Sequence, residues 1–172
     1  PLFCINLTLF NRLDVHSQVN DLVGDFTTLL LLEVCADPSL GLSELAQCIQ
    51  RQLIDDLEYR QVSGVEVQRM ARAQGRQEYL APVVFTSTLG LGDAQEESFG
   101  ELVYSMSQTP QVWIDHQVME VPEGLQLTWD CLDGVFKDDV LEQLFLAYSD
   151  LLTSLEKIPD YFQNHSGWAI PN

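Results

Sequence analysis

Val112-Trp113-Ile114-Asp115-His116-Gln117-Val118-Met119-Glu120-Val121, then Pro122-Glu123-Gly124, then Leu125-Gln126-Leu127-Thr128-Trp129-Asp130, is the stretch whose reading decides the fold. In its second half Leu125, Leu127 and Trp129 alternate with Gln126, Thr128 and Asp130, the period of a strand with two unlike faces. Pro122 and Gly124 mark a turn, so the two halves read as a hairpin. Upstream, residues 82–86 are short and β-branched with Pro82 at the first position, the pattern of a central strand. Residues 102–105 read as a further short strand. Phe26 to Val34 is an almost continuous apolar run containing Thr27 and Thr28, which predicts a strand buried on both faces. Residues 2–10 read as a strand with no helix start signal. Helices punctuate these runs. Ser43 is a plausible N-cap for a helix with Leu45, Ile49, Leu53 and Leu57 on one face. Gly64 separates it from a second helix over 65–73. A third carries Val140, Leu141, Leu144, Tyr148, Leu151, Leu152 and Leu155 on one face. The segment 90–100, with three glycines and Asp93, Glu96 and Glu97, is the least suited to order by itself. No internal repeat is visible. Strands and helices in this mixed order predict a mixed-sheet α/β sandwich of two or three layers.

The chain has 172 residues, 46% of them hydrophobic, enough for one good core rather than two. A formal net charge of -18 argues against nucleic acid and anionic membranes as partners. Arg69, Arg72 and Arg76 follow helical spacing and read either as a cationic stripe or, the preferred reading, as a solvated face paired with nearby acids. Cys4, Cys35, Cys48 and Cys131 are far apart in apolar neighbourhoods, with no spacing typical of zinc ligands, so four reduced, mostly buried thiols and no metal are expected. The run around Leu29 to Val34 is interrupted by Glu33 and falls well short of the ~20 apolar residues a bilayer span needs, and a cytoplasmic location is expected. His16, His116 and His165 form no recognisable cluster, and no glycine-rich phosphate loop is present. A first residue Pro1 fits a segment excised from a longer chain, and tag removal or processing would give the same start.

Three runs carry more specific information: Gly24-Asp25-Phe26-Thr27-Thr28-Leu29-Leu30-Leu31-Leu32; Pro82-Val83-Val84-Phe85-Thr86-Ser87; and Ser107-Gln108-Thr109-Pro110-Gln111-Val112-Trp113-Ile114-Asp115 with Thr128-Trp129-Asp130. In order and wording they resemble the last three signature motifs of the heterocyclization domain of nonribosomal peptide synthetases. The resemblance implies a chloramphenicol acetyltransferase-like lobe, with residues 1–172 as the C-terminal lobe of a two-lobed domain arranged around a tunnel. The family's Asp-x-x-x-x-Asp-x-x-Ser motif belongs to the N-terminal lobe and has no counterpart here. The implied reaction joins a carrier-bound acyl group to carrier-bound Cys, Ser or Thr and cyclodehydrates the product to a thiazoline or oxazoline.

On a regular strand Asp115 shares a face with Trp113 and Gln117, while His116 points away. Taken as residues alone, this acid is either a hydrated group at a sheet rim or a carboxylate partly desolvated by the indole. The resemblance favours chemistry and makes Asp115 and Thr86 the catalytic pair. One carboxyl group can serve as base when the thiol or hydroxyl attacks and as acid when water leaves. Thr86 would orient the intermediate or the acid by hydrogen bonding, since its hydroxyl is too weak an acid to protonate a leaving group. Gln108, Gln111, Ser87 and Trp113 are implied to position substrate. Gly24, Asp25, Phe26 and Thr27 are expected to be architectural, with Asp25 capping a turn and Gly24 supplying unusual dihedrals, and Asp130 is also assigned to structure.

No cofactor is expected to bind the lobe directly; substrates arrive on the phosphopantetheine of carrier domains. The implied partners are the missing N-terminal lobe, upstream and downstream peptidyl carrier domains and an adjacent adenylation domain. The lobe alone is expected to be inactive, and to self-associate through the apolar surface its partner lobe normally covers. Two other readings stand beside this one, a non-catalytic docking module and a lobe of an ordinary amide-forming condensation domain.

Overall fold

β1 (Leu2–Phe10) is an interior strand of a five-stranded sheet. It pairs antiparallel with β2 (Thr27–Cys35) on one side and parallel with β3 (Val83–Ser87) on the other. β3 continues parallel to β4 (Ile114–Val121), which turns back antiparallel into β5 (Gly124–Cys131), giving the order β2-β1-β3-β4-β5. Helices α1 (Leu42–Leu57), α2 (Gly64–Ala73) and α3 (Val140–Lys157) complete the fold. The computed structural model describes residues 2–76, 81–90, 103–104, 106–107, 109, 112–122 and 124–157.

The expected hairpin is present, running in register from Ile114 opposite Cys131 to Val121 opposite Gly124. Gly124 has φ of 140°, a conformation that favours glycine at this turn. Register divides the sheet into two faces. One carries Asn6 and Thr8 of β1, Val84 and Thr86 of β3, Asp115 and Gln117 of β4, and Thr128 and Asp130 of β5. The other carries Leu30, Leu32 and Val34 of β2, Phe85, His116, Val118 and Trp129. α2 is tied to the first face, where the Gln68 amide donates to Asn6 Oδ1 at 2.8 Å. α3 packs on the second: Tyr148 stacks on Trp129 with ring centroids 6.0 Å apart, and Phe145 meets the same indole edge-on at 5.2 Å. Helices therefore lie on both faces, as the alternation of element types implies.

Four expectations require correction. β2 is an edge strand and is not buried on both faces. Leu30, Leu32 and Val34 are buried while Glu33 and Cys35 on the other face are exposed, so the apolar run supplies one core face and a partly covered second one. Ser43 is not the cap of α1, which begins a residue earlier behind Gly41. Asp37 Oδ1 accepts the Ser39 N–H at 2.9 Å, turning the chain early, and the Glu44 carboxylate accepts the Gly41 N–H at 3.1 Å. Of the four thiols only Cys4 is buried; Cys35 and Cys48 are exposed, on the edge strand and on the outer side of α1, and Cys131 is half-buried. Finally, Val103 and Tyr104 are exposed and lie outside any strand, while Leu102 and Ser105 of the same expected element fall outside the described residues.

Gly64 does more than separate two helices. It is buried as the first residue of α2, behind a Ser63 cap whose hydroxyl accepts the Glu66 N–H at 3.3 Å. A Cβ there would lie 3.1 Å from the Leu31 nitrogen and 3.2 Å from the Leu29 oxygen. The absent side chain is what lets α2 sit this close to β2. The arginine stripe lies on exposed positions of α2 and just beyond it.

Candidate active site

The start of β4 is fixed by one carbonyl. Pro82 O accepts the N–H groups of Trp113 and Ile114 at 2.7 and 3.2 Å, which sets Val83 opposite Ile114 and, one step on, Val84 opposite Asp115. Thr86 then falls opposite Gln117. Asp115 and Thr86 thus occupy the same face of adjacent parallel strands, offset diagonally by one same-face step, and are not directly paired.

Asp115 is buried, at 5% exposure. Its Oδ2 accepts two hydroxyls, Ser107 Oγ and Thr109 Oγ1, each at 2.7 Å. Its Oδ1 is shielded from solvent and has no hydrogen-bond partner among the described residues. Asp130 stands directly opposite Asp115 on β5, and its Oδ2 accepts the Ser107 main-chain N–H at 2.7 Å. Ser107 thereby bridges the two carboxylates, with its backbone on one and its side chain on the other. Thr86 shares a hydrogen bond of 2.8 Å with Thr8 of β1. A polar set therefore crosses the interior strands β1, β3 and β4 and reaches the edge strand β5: Asn6 and Thr8, Thr86, Gln117, Asp115 and Asp130. Such a set is unusual on a sheet face made only for packing, because buried polar groups are costly unless each is paired.

The remaining predicted residues fall around this set. Ser87 alternates to the other face, where its hydroxyl accepts the Leu89 N–H at 3.3 Å. Trp113 precedes β4 and is 47% exposed; its ring meets Phe136 edge-on at 6.3 Å. The hydroxyl donors on Asp115, not the Trp113 indole, are its observed close partners. Gln108 and Gln111 lie outside the described residues. Asp25 Oδ1 accepts the Thr27 N–H at 2.8 Å, closing the turn, and hydrogen bonding from the Thr27 side chain, then from its main chain, holds the carboxyl below the usual carboxylate range. Phe26 receives the Arg12 guanidinium 4.0 Å above its ring. Gly24 does not adopt a positive φ, and a Cβ there would make only an ordinary contact with Phe26; the Asp25 bond closes the turn without unusual dihedrals. Asp130 anchors Ser107 through its main-chain N–H.

His116 points away from Asp115, into the second face. Its Nε2 lies 3.0 Å from the Tyr148 hydroxyl and its Nδ1 3.3 Å from the Thr128 carbonyl, among Phe85, Trp129 and Tyr148. Burial lowers its pKa, partly offset by backbone bonding at Thr128 and Gln117 and by the Asp115 charge. It is a core histidine. Sequence reasoning placed Gln117 on the face of Asp115 but missed Thr8 as the partner of Thr86, and the convergence of Ser107 and Thr109 on one carboxylate oxygen. The last had a local signal: two hydroxyl residues spaced i, i+2 just before the acid-bearing strand. Thr8, 78 residues from its partner, had none. Among the described residues no group of three or more His, Cys, Asp or Glu could hold a metal ion, and no helix is long and apolar enough to cross a membrane.

No family model matches the chain. Individual proteins do. Pyochelin synthetase PchF of Pseudomonas aeruginosa is 41% identical over 165 residues, 92% of this chain and 9% of the relative. Phenyloxazoline synthase MbtB of Mycobacterium tuberculosis is 39% identical over 174 residues, 98% of this chain and 12% of the relative. Among solved structures, the cyclization-docking bidomain of the nonribosomal peptide synthetase EpoB from Sorangium cellulosum superposes with a TM-score of 0.76 at 39% identity, over 98% of this chain and 34% of that one. The chain thus spans about a tenth of the length of the curated relatives it matches. It belongs with the condensation and cyclization domains of nonribosomal peptide synthetases, of which it forms a part.

Proposed function

We propose that this chain is the C-terminal lobe of a heterocyclization domain. In the complete domain it would help join a carrier-bound acyl group to carrier-bound Cys, Ser or Thr and cyclodehydrate the product to a thiazoline or oxazoline. The observation that carries the reading is Asp115, buried on the same sheet face as Thr86, with one oxygen accepting two hydroxyls and the other without a partner among the described residues. The PchF and MbtB matches, the second a phenyloxazoline synthase by name, support it from outside the geometry.

The assigned roles follow the proton. In ring closure the Asp115 carboxylate takes the proton of the attacking S–H or O–H as the new bond to the amide carbon forms. The carbonyl π pair moves to oxygen, which recovers that proton as a hydroxyl. In dehydration the carboxylate takes the ring N–H proton as the C=N bond forms and passes it to the departing hydroxyl, so one water leaves per ring. Thr86, with Thr8 as its partner, orients the hydroxyl-bearing carbon. Substrates come on phosphopantetheine arms of carrier domains in the cytoplasm. The facing N-terminal lobe supplies the other wall of the site, with an adenylation domain adjacent in the same assembly line.

The test is Asp115→Asn in the intact synthetase with carrier-loaded substrates. Uncyclized amide should accumulate while ring closure falls by about a hundredfold or more, the scale of a lost general acid–base group. Equal loss of amide and ring formation would instead make Asp115 structural. The lobe expressed alone should form no ring, and thiazoline from it would refute the need for the second lobe.

A further inference from the structure

We propose that Ser107, Thr109 and Asp130 are positioning residues for Asp115: they pin its Oδ2 and leave Oδ1 as the oxygen that exchanges protons with the reacting substrate. This rests on the reading of Asp115 as the proton-transfer group. The structure treats the two oxygens of one carboxylate differently. Both hydroxyl donors converge on Oδ2 at 2.7 Å, whereas Oδ1 is buried without a partner among the described residues. A segment that merely sealed the sheet would be expected to satisfy both oxygens, because a buried acceptor left unpaired costs about 1–3 kcal/mol and more when charged.

Each hydroxyl has one proton to give. Given to Asp115, it is committed, so Ser107 and Thr109 act as fixed donors that hold the carboxylate plane. Asp130 holds the donors in turn. It lies directly opposite Asp115, a placement of like charges that destabilises an antiparallel pair unless something intervenes. Ser107 intervenes by donating its N–H to Asp130 and its hydroxyl to Asp115, each at 2.7 Å. The arrangement reads outward as Asp130, Ser107, Asp115 Oδ2, with Thr109 as second donor. Oδ1 then remains as the acceptor for a substrate S–H, O–H or N–H during the two proton movements described above.

The experiment uses the intact synthetase, offered carrier-loaded cysteine, serine and threonine in turn, with amide and ring products quantified separately by mass. In Ser107→Ala/Thr109→Val, ring closure should fall by about tenfold or more relative to amide formation. Ser107→Thr/Thr109→Ser, which keeps both hydroxyls, should restore ring closure. Thr109→Val alone leaves the Ser107 bridge intact and should lower ring closure selectively but by less, which keeps the test usable if the double variant fails to fold. Asp115→Asn run alongside separates the two levels. If it closes rings at the unmodified rate, the proposed function fails and this assignment with it. If it abolishes closure while the hydroxyl variants close rings at the unmodified rate, or lose amide and ring formation together, only the positioning assignment is overturned.

Discussion

Replacing Gly64 with alanine sets a helix-favouring change against a packing conflict, and the distances decide between them. Alanine is better than glycine by roughly 1 kcal/mol in a helix interior, and less in the first turn where Gly64 sits. The added Cβ would stand 3.1, 3.2 and 3.3 Å from Leu31 N, Leu29 O and Leu30 C. All three are backbone atoms of a paired strand, so none can swing aside as a flexible side chain would. Relief requires α2 to lift from β2 by a few tenths of an ångström, stretching the Gln68 bond to Asn6 and loosening the contact across the sheet. Overpacking of this kind costs about 1–3 kcal/mol, which exceeds the helix gain and leaves a net loss near ~1–2 kcal/mol. For a chain of this size that lowers Tm by roughly 2–8 °C. Thermal unfolding followed by circular dichroism measures it, with Gly75→Asn as comparator. Gly75 has φ of 73° and open space at its Cβ, a conformation that Asn tolerates, so that variant should stay within a degree or two of the parent. A Gly64→Ala protein as stable as the parent, or more so, would refute the idea that the helix–strand spacing is fixed by the missing side chain.

His116 should make stability depend on pH in one direction. Its folded pKa lies below the unfolded value near ~6.5, so its contribution is complete above that pH and is lost as pH falls through the folded value. The urea-unfolding free energy of the parent should therefore decline below pH 6.5 more steeply than that of His116→Gln, by up to about 1.4 kcal/mol per pH unit; parallel curves would mean the ring is not held neutral. Among the cysteines, Cys35 and Cys48 should react with a thiol reagent in the native protein at rates near those of an unstructured thiol. Cys4 should stay protected until unfolding, since burial and then the Glu33 charge push its thiol up, and Cys131, raised by burial and Asp130, should fall between. Mass-resolved labelling checks the order, and rapid native labelling of Cys4 would contradict its burial.

Local pattern carried most of the elements but not their neighbours. Alternation over 125–130 and the Pro122/Gly124 signal are local, and the hairpin they predicted is present. The leucine run of β2 is equally local, yet whether both its faces are covered depends on where β1 and β3 go. With β3 taking the far side of β1, β2 is left on the edge and Cys35 with it. The same division holds at the candidate site. Asp115 and Thr86 stood out through short runs whose wording is specific, and strand alternation correctly turned His116 away from the acid. Which oxygen of Asp115 is bonded, and the pairing of Thr86 with Thr8, depend on register and loop path that neighbouring residues do not encode. Trp113 illustrates the limit: alternation assigned it to the face of Asp115, but the regular strand begins one residue later, and the ring turns to Phe136.

The interior position of β1 bears on how the chain is made. Its partner on one edge, β2, follows within a few dozen residues, but its other partner, β3, lies about 75–80 residues further along. At a synthesis rate of about 5–20 residues per second, the second edge of β1 stays open for roughly 4–16 seconds after the strand itself has emerged. Throughout that interval a row of main-chain donors and acceptors on an apolar strand is available to any neighbouring nascent chain. Nascent copies held close together on one message would bring such strands within reach of one another, so the spacing of translation bears on the yield of this fold alongside its final stability.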